Sequence, residues 1–209
     1  MPLPDPAHAR LAVVAQDDAD GAALAAALTG RGNVRRLDLT SLVAGSDVLH
    51  DVDVLFMRTT DLDLDRVRRV RWPTRLVAVC ASVPLLLVDG EWQLLGSADI
   101  SWAEQVAGAM SDCRTVAALQ QLTTQHLELI GLGVLETDVP LASDDAEAAD
   151  LVAAVLGDVR GLRPVNVGPL RAARGLEGLA LLQRTIEADR HALVGLICGT
   201  DGAIRFTDV

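Results

Sequence analysis

The chain contains no lysine and no tyrosine, and all 18 of its basic residues are arginine. Those absences remove whole classes of chemistry: no Schiff-base lysine, no pyridoxal enzyme, no Walker-type phosphate loop and no Tyr–Lys reductase dyad. Cysteine is scarce as well. Cys80, Cys113 and Cys198 are widely spaced and form no C-x-x-C, so neither a disulfide framework nor a zinc knuckle is supported. Cys80 and Cys198 sit in apolar runs and read as inert core thiols. Long hydrophobic runs are missing too, since Leu76–Val88 is interrupted by Ser82 and Pro84 and is too short to span a bilayer. The N-terminal MPLPDPAHAR has no apolar signal region, and its prolines read as a loose arm, so a cytoplasmic location is expected. Positive charge is in short supply: the net charge of −11 opposes nonspecific binding to nucleic acid or an anionic membrane. What is present is apolar. Half of the 209 residues are hydrophobic, enough for one well-cored domain. Arginine in place of lysine, together with abundant alanine, points to a GC-rich bacterial genome.

Short apolar runs alternate with helical patterns through the first half. Leu11–Ala15 reads as a buried strand, 19–29 as an Ala/Leu helix closed by Gly30 and Gly32, and 34–39 as a second strand. Asp53–Met57 is the third strand, 62–70 a short helix loaded with arginines, and 76–81 the fourth strand. This order predicts a doubly wound α/β fold on a mostly parallel, Rossmann-like sheet. Asp89-Gly90 between two apolar runs marks a hairpin within 83–95, because both central residues of that turn need positive φ. A helix over 101–110 and a fifth strand over 115–119 follow, then 120–137, which has no clean period and reads mostly as loop with a helical turn or two. Residues 139–143 form a strand, 146–156 a helix that starts on Asp144, Asp145 and Glu147, and 162–167 a strand. Gly168-Pro169 opens a long apolar helix from Leu170 to about Arg190, and a hairpin around Gly199–Gly202 ends the chain. The expected organisation is an arm at 1–9, a Rossmann-like domain at 10–137, and a C-terminal α/β extension at 138–209 packed on the same sheet.

The stretch Asp144–Leu182, with an acidic pair, a helix, the strand and turn GLRPVNVGPL, and a long helix carrying Glu177, resembles the C-terminal part of the deazaflavin-dependent NADP reductases. Those small Rossmann proteins pass hydride between NADP(H) and coenzyme F-420. The resemblance is strongest over 139–182 and runs on more thinly from residue 10 to the end. It implies binding of NADP(H) and a deazaflavin, and a homodimer built on the long helix. Leu176, Leu179, Ala180, Leu181, Leu182 and Ile186 exceed one ordinary helix stripe, and Gly175 and Gly178 allow a partner helix to approach.

The chain departs from that family where a dinucleotide would sit. A Rossmann turn carries G-x-G-x-x-G so that the backbone can approach the pyrophosphate. Here the turn reads Ala15-Gln16-Asp17-Asp18-Ala19-Asp20-Gly21, and only Gly21 stands for a family glycine. Each carboxylate close to a pyrophosphate would be repulsive by roughly 1 kcal/mol or more. At the end of the second strand Asp38-Leu39-Thr40-Ser41 replaces the usual 2′-phosphate arginine. Arg36 either reaches outward to that role or belongs to a solvated strand face.

The crevice above the carboxyl ends of the strands is then the expected small-molecule site. Arg58, Thr59 and Thr60 follow the third strand, Ser82 the fourth, and Gln120, Thr123 and His126 the fifth. Arg58 and His126 are the candidate catalytic pair; Thr59, Thr60, Ser82, Gln120 and Thr123 are candidate substrate contacts. Gly21, with Gln16, Asp17 and Asp18, marks the degenerate cofactor turn. Arg58 suits an anionic group or a salt bridge to Asp61 or Asp63. His126 offers a titratable proton or is merely an exposed loop histidine. If the pair is catalytic, its removal costs activity and leaves the melting temperature nearly unchanged. No metal site is expected, because His8, His50, His126 and His191 lack metal spacing. The cluster of Arg66, Arg68, Arg69, Arg71 and Arg75 reads as a solvated face or an ion-pair network. Three functions follow: a divergent reductase-like enzyme with lost or altered nicotinamide binding, a working NADPH-dependent deazaflavin oxidoreductase, or a non-catalytic paralogue that acts as a binding or assembly partner.

Overall fold

The structure is a computed structural model, and it describes residues 3–29, 34–44, 46–96, 99–199 and 203–208. Its centre is a five-stranded, all-parallel sheet in the order β2-β1-β3-β4-β7. Its strands are β1 (Leu11–Ala15), β2 (Arg35–Leu37), β3 (Val54–Arg58), β4 (Val77–Cys80) and β7 (Arg114–Ala117). The hairpin β5 (Leu85–Val88) and β6 (Glu91–Leu94) lies between β4 and β7 in the chain. It turns on Asp89 and Gly90, at φ 51° and 87°, the positive pair expected of that dipeptide.

Successive residues of each central strand enter opposite cores. Leu11, Val13, Val54, Phe56, Val77 and Val79 pack under α1 (Asp18–Leu28), α5 (Thr124–Gly131) and α6 (Ala146–Gly157). Ala12, Val14, Leu55, Met57, Ala78 and Cys80 pack under α2 (Leu39–Ala44), α3 (Leu64–Val67), α4 (Trp102–Ala109) and the start of α7 (Ala173–Arg190). Burial on both faces is why these strands read as unbroken apolar runs rather than alternating ones. The fold is the doubly wound α/β arrangement that the sequence predicts.

Beyond β7 the chain adds a parallel pair, β8 (Thr137–Leu141) and β9 (Leu162–Asn166), with α6 between them. The addition is stitched on antiparallel: Ala117 and Ala142 exchange both backbone hydrogen bonds, at 2.9 and 3.0 Å. The antiparallel ribbon β10 (Val194–Cys198) and β11 (Ile204–Asp208) closes the chain. Thr137 Oγ1 accepts from Leu196 N at 2.9 Å and so fastens that ribbon to β8. Of the expected final turn, residues 200–202 lie outside the described residues, as do the helix stops at Gly30 and Gly32.

Several expectations need correction. Within 120–137 the expected helical turns are one helix, Thr124–Gly131, capped by a reciprocal Thr123–His126 box that the sequence reading did not give. Histidine in place of Glu or Gln at the third position hides that box from the usual motif. The helix expected at 62–70 is a single turn, Leu64–Val67. The strand expected over 34–39 stops at Leu37, and α2 begins at Leu39. The long helix starts at Ala173, after a 3-10 turn over Leu170–Ala172. In the described part of the N-terminal arm, Leu3 and Ala9 pack on the core, and the 3-10 turn Pro6–His8 lies against α6.

Candidate functional site

β2 and β3 lie on opposite sides of β1, so the chain leaving β1 and the chain leaving β3 run to opposite sides of the sheet. In such sheets that switch point is where ligands bind. Gln16 N still reaches Arg58 O at 3.1 Å, and beyond this link a pocket of about 250 Å³ opens. Arg58, Thr59, Thr60, Ser82 and Gln120 all line it, together with Gln16, Asp17 and Asp20. Residues from four strand ends therefore converge as the sequence order suggests.

Arg58 is committed within the protein. Its Nε and Nη2 donate to Asp20 Oδ2 and Oδ1 at 2.7 and 2.8 Å, and its Nη1 reaches Ala81 O at 3.2 Å and Leu122 O at 3.1 Å. Thr124 Oγ1 donates to the same Asp20 carboxylate at 2.9 Å. The two side chains are only 10% and 14% exposed. The partner is thus Asp20 of α1, not Asp61 or Asp63. One guanidinium ties together the end of β3, the first turn of α1, the exit of β4 and the turn before α5. A bidentate pair this buried holds strongly, because removing one partner leaves the other charged and dry.

Gln120 reaches the pocket through a strained turn. Leu119 has φ 64° and is fully buried, a conformation that costs an ordinary residue about 1–3 kcal/mol. The twist sends Leu119 and Leu122 into the core and sends the two glutamines apart. Gln121 Nε2 donates to Asp138 O at 2.9 Å, while Gln120 Nε2 makes only a long contact with Ser82 O at 3.4 Å. Gln120 Oε1 is buried without a hydrogen-bond partner. The hydroxyls nearby serve their own loops: Ser82 Oγ donates to Thr59 O at 2.8 Å, and Thr59 Oγ1 accepts from Asp61 N at 3.1 Å.

His126 is not an exposed loop histidine. It is fully buried in α5 and is not among the residues lining the switch-point pocket. Its Nδ1 accepts from Thr123 N at 3.2 Å, which assigns the proton to Nε2. That nitrogen faces Glu187 Oε1 at 3.0 Å and Val194 O at 3.1 Å. Burial opposes the charge on Glu187, but the His126 bond and the Arg184 guanidinium outweigh it and bring its pKa below the ordinary glutamate value. Thr123 lines a neighbouring pocket of about 330 Å³ with Gln125, Glu187 and His191. Arg184 and Trp92 line both this pocket and the switch-point one. Arg184 donates to Glu187 Oε2 at 2.8 Å and Gln121 O at 3.0 Å, and burial draws its pKa down. Sequence reasoning overlooked Arg184. Its only local signal is the Arg184–Glu187 spacing on a helix.

The turn after β1 borders a third pocket, of about 500 Å³, lined by Gln16, Asp17, Asp18, Gly21, Arg36 and Asp38 among others. Asp17 caps α1, accepting from Asp20 N at 2.7 Å, and Asp18 pairs with Arg36. A Cβ on Gly21 would stand 3.2 Å from Ala15 Cβ. The absence of a side chain at Gly21 thus allows α1 to pack closely on β1. Among the described residues no group of three or more His, Cys, Asp or Glu is placed to hold a metal ion, and no helix is long and apolar enough to cross a membrane.

Solved structures share this architecture. A protein assigned as an F420-dependent NADP reductase from Arthrobacter sp. FB24 aligns with a TM-score of 0.66 and 16% identity, covering 87% of this chain and 95% of its own. A hypothetical protein from Sinorhizobium meliloti aligns at 0.62 and 20% identity, covering 80% and 88%. An imine reductase from Aspergillus terreus, solved with NADPH4, aligns at 0.51 and 14% identity, covering 88% of this chain and 63% of its own. No protein-family model matches the chain. The chain has the fold of the NADP-dependent Rossmann reductases and resembles the F420-dependent kind. At these identities the likeness establishes the fold alone.

Proposed function

We propose that this is a divergent reductase-fold protein that binds a small organic molecule at the switch point, with nicotinamide binding lost. The first turn of α1 carries the argument. A pyrophosphate needs free N–H groups and the positive end of the helix dipole. Asp17 already takes the Asp20 N–H at 2.7 Å, and Asp18 and Asp20 add two more carboxylates to the same turn. The residues present do not fit the diphosphate. Calorimetric titration with NADPH tests this reading. We expect no saturable heat, and a dissociation constant in the low micromolar range would overturn it.

One observation favours a working NADPH enzyme instead. Arg36 lies on the pocket beside Gly21, where a guanidinium would meet a 2′-phosphate if Asp18 released it. The same titration decides between the two.

For assembly we propose a homodimer through α7. Leu182 is about half exposed, and nothing lies within 4 Å of a Cβ built on Gly175 or Gly178. Light scattering at high micromolar concentration should give twice the 22.1 kDa chain mass; a monomer mass would overturn the dimer.

A further inference from the structure

We infer that the switch-point pocket takes a neutral molecule of the primary-amide or lactam type, and that Gln120 accepts its N–H. The inference rests on the small-molecule reading above. Its first support is the orphan: Gln120 is 3% exposed, lines the pocket, and has no partner for Oε1. Buried polar atoms are rarely left unpaired, and exceptions point to a missing partner. The flip is set by Ser82 O, which can only accept and so takes the amide nitrogen. The terminal torsion of glutamine is broad, so a modest rotation presents Oε1 to a ligand at little cost to a 3.4 Å contact.

The second support is the strain at Leu119, φ 64°, immediately before Gln120. Strained residues persist where the surroundings enforce them, and they cluster at ligand sites. The third is charge. Asp17, Asp20, Arg58 and Arg184 line the pocket, and each is answered inside the protein: Asp17 by Asp20 N, Asp20 by Arg58, and Arg184 by Glu187. An anionic ligand would have to break a buried pair to reach Arg58 or Arg184. A neutral donor needs only the free acceptor. The volume of about 250 Å³ falls below the roughly 300–1,000 Å³ of drug-sized sites, which suits a single ring or smaller.

Ligand-observed NMR with benzamide, N,N-dimethylbenzamide and benzoate tests this on the unaltered protein. The three probes share a ring and differ in the donor and the charge. Benzamide should bind roughly three- to tenfold more tightly than the other two, the worth of one net hydrogen bond. Gln120→Met should erase that preference. The same substitution should raise the melting temperature of the ligand-free protein by roughly 2–6 °C, since it removes a buried unpaired acceptor. A fall in melting temperature would show that the glutamine serves packing, and would overturn the inference. Equal binding of all three probes, abolished by Ser82→Trp, would overturn the donor preference and leave the pocket standing. Equal binding that survives Ser82→Trp would overturn both. No binding by any probe overturns the inference alone, and retained ligand in native mass spectrometry then judges the pocket.

Discussion

Asp18 and Asp20 stand two residues apart in the first turn of α1, and each meets an arginine on a strand beside β1. Asp18 pairs with Arg36 on β2, and Asp20 with Arg58 at the end of β3. The chemistry is the same and the surroundings are not. The outer pair is 93% and 44% exposed, while the inner one is 14% and 10% exposed and sits at the topological switch. Water screens the outer pair, so its net worth is small. The inner pair has little water to fall back on, so each partner becomes a liability if the other is removed. A third pair, Arg10 with Asp53, falls between them, at 47% and 7% exposed. The two pairs also line different pockets: Asp18 and Arg36 the one beside Gly21, and Asp20 and Arg58 the one at the switch point.

The largest effect is expected from the inner pair. Arg58→Ala or Asp20→Ala should cost about 3–5 kcal/mol, seen as a melting temperature lower by roughly 6–20 °C. This reverses the expectation, natural from sequence alone, that Arg58 could be removed without cost to stability. A thermal scan with no change would dismantle the comparison, because burial would then not distinguish the pairs. The double variant should lose less than the two single losses combined.

How much of this was open to a reader of the sequence depends on where each partner lies in the chain. The central strands were legible because β1, β3 and β4 are buried on both faces and therefore spell continuous apolar runs. The β5–β6 hairpin was legible because Asp89-Gly90 states its own backbone requirement. Positions at strand ends also gave away Arg58, Thr59, Ser82 and Gln120 as pocket residues. Their partners did not show. Asp20 lies 38 residues from Arg58, and Glu187 and Val194 reach His126 from the far end of the chain. No local pattern records such pairings. Gln120 was visible as a polar residue after a strand, but its missing partner and the strain at Leu119 exist only in three dimensions.

The middle pair sharpens the comparison through pH. The Arg10 hydrogen bonds hold the Asp53 pKa below its ordinary value, and burial opposes them. A carboxylate with a depressed folded pKa stabilises fully above its unfolded pKa, near 3.9, and loses that contribution as pH falls through the folded value. Arg10→Met should therefore lower the melting temperature at pH 7 by less than Arg58→Ala does. The gap from the parent protein should close towards pH 2. A gap that stays constant through acid titration would mean that the arginine acts by packing its stem rather than by its charge.

The smallest effect on stability is expected at the outer pair, and there the comparison meets function. Asp18→Gly removes an exposed carboxylate whose pairing is worth little, so the melting temperature should move by no more than about 2 °C. Part of even that shift would come from glycine in the first turn of a helix rather than from charge; Asp18→Asn separates the two. The same change frees Arg36 and takes one negative charge away from the turn. NADPH affinity should then rise, and rise further in the Asp17→Gly, Asp18→Gly double variant, which also clears the N-cap. Each carboxylate removed should contribute roughly 1 kcal/mol, about fivefold in affinity at low salt and less as salt is added. Affinity that does not respond to either substitution would mean that the carboxylates are not what bars the cofactor. The barrier would then lie in the inner pocket, where Arg58 and Asp20 narrow the switch point, and the contrast between the two pairs would have to be drawn in shape rather than in charge.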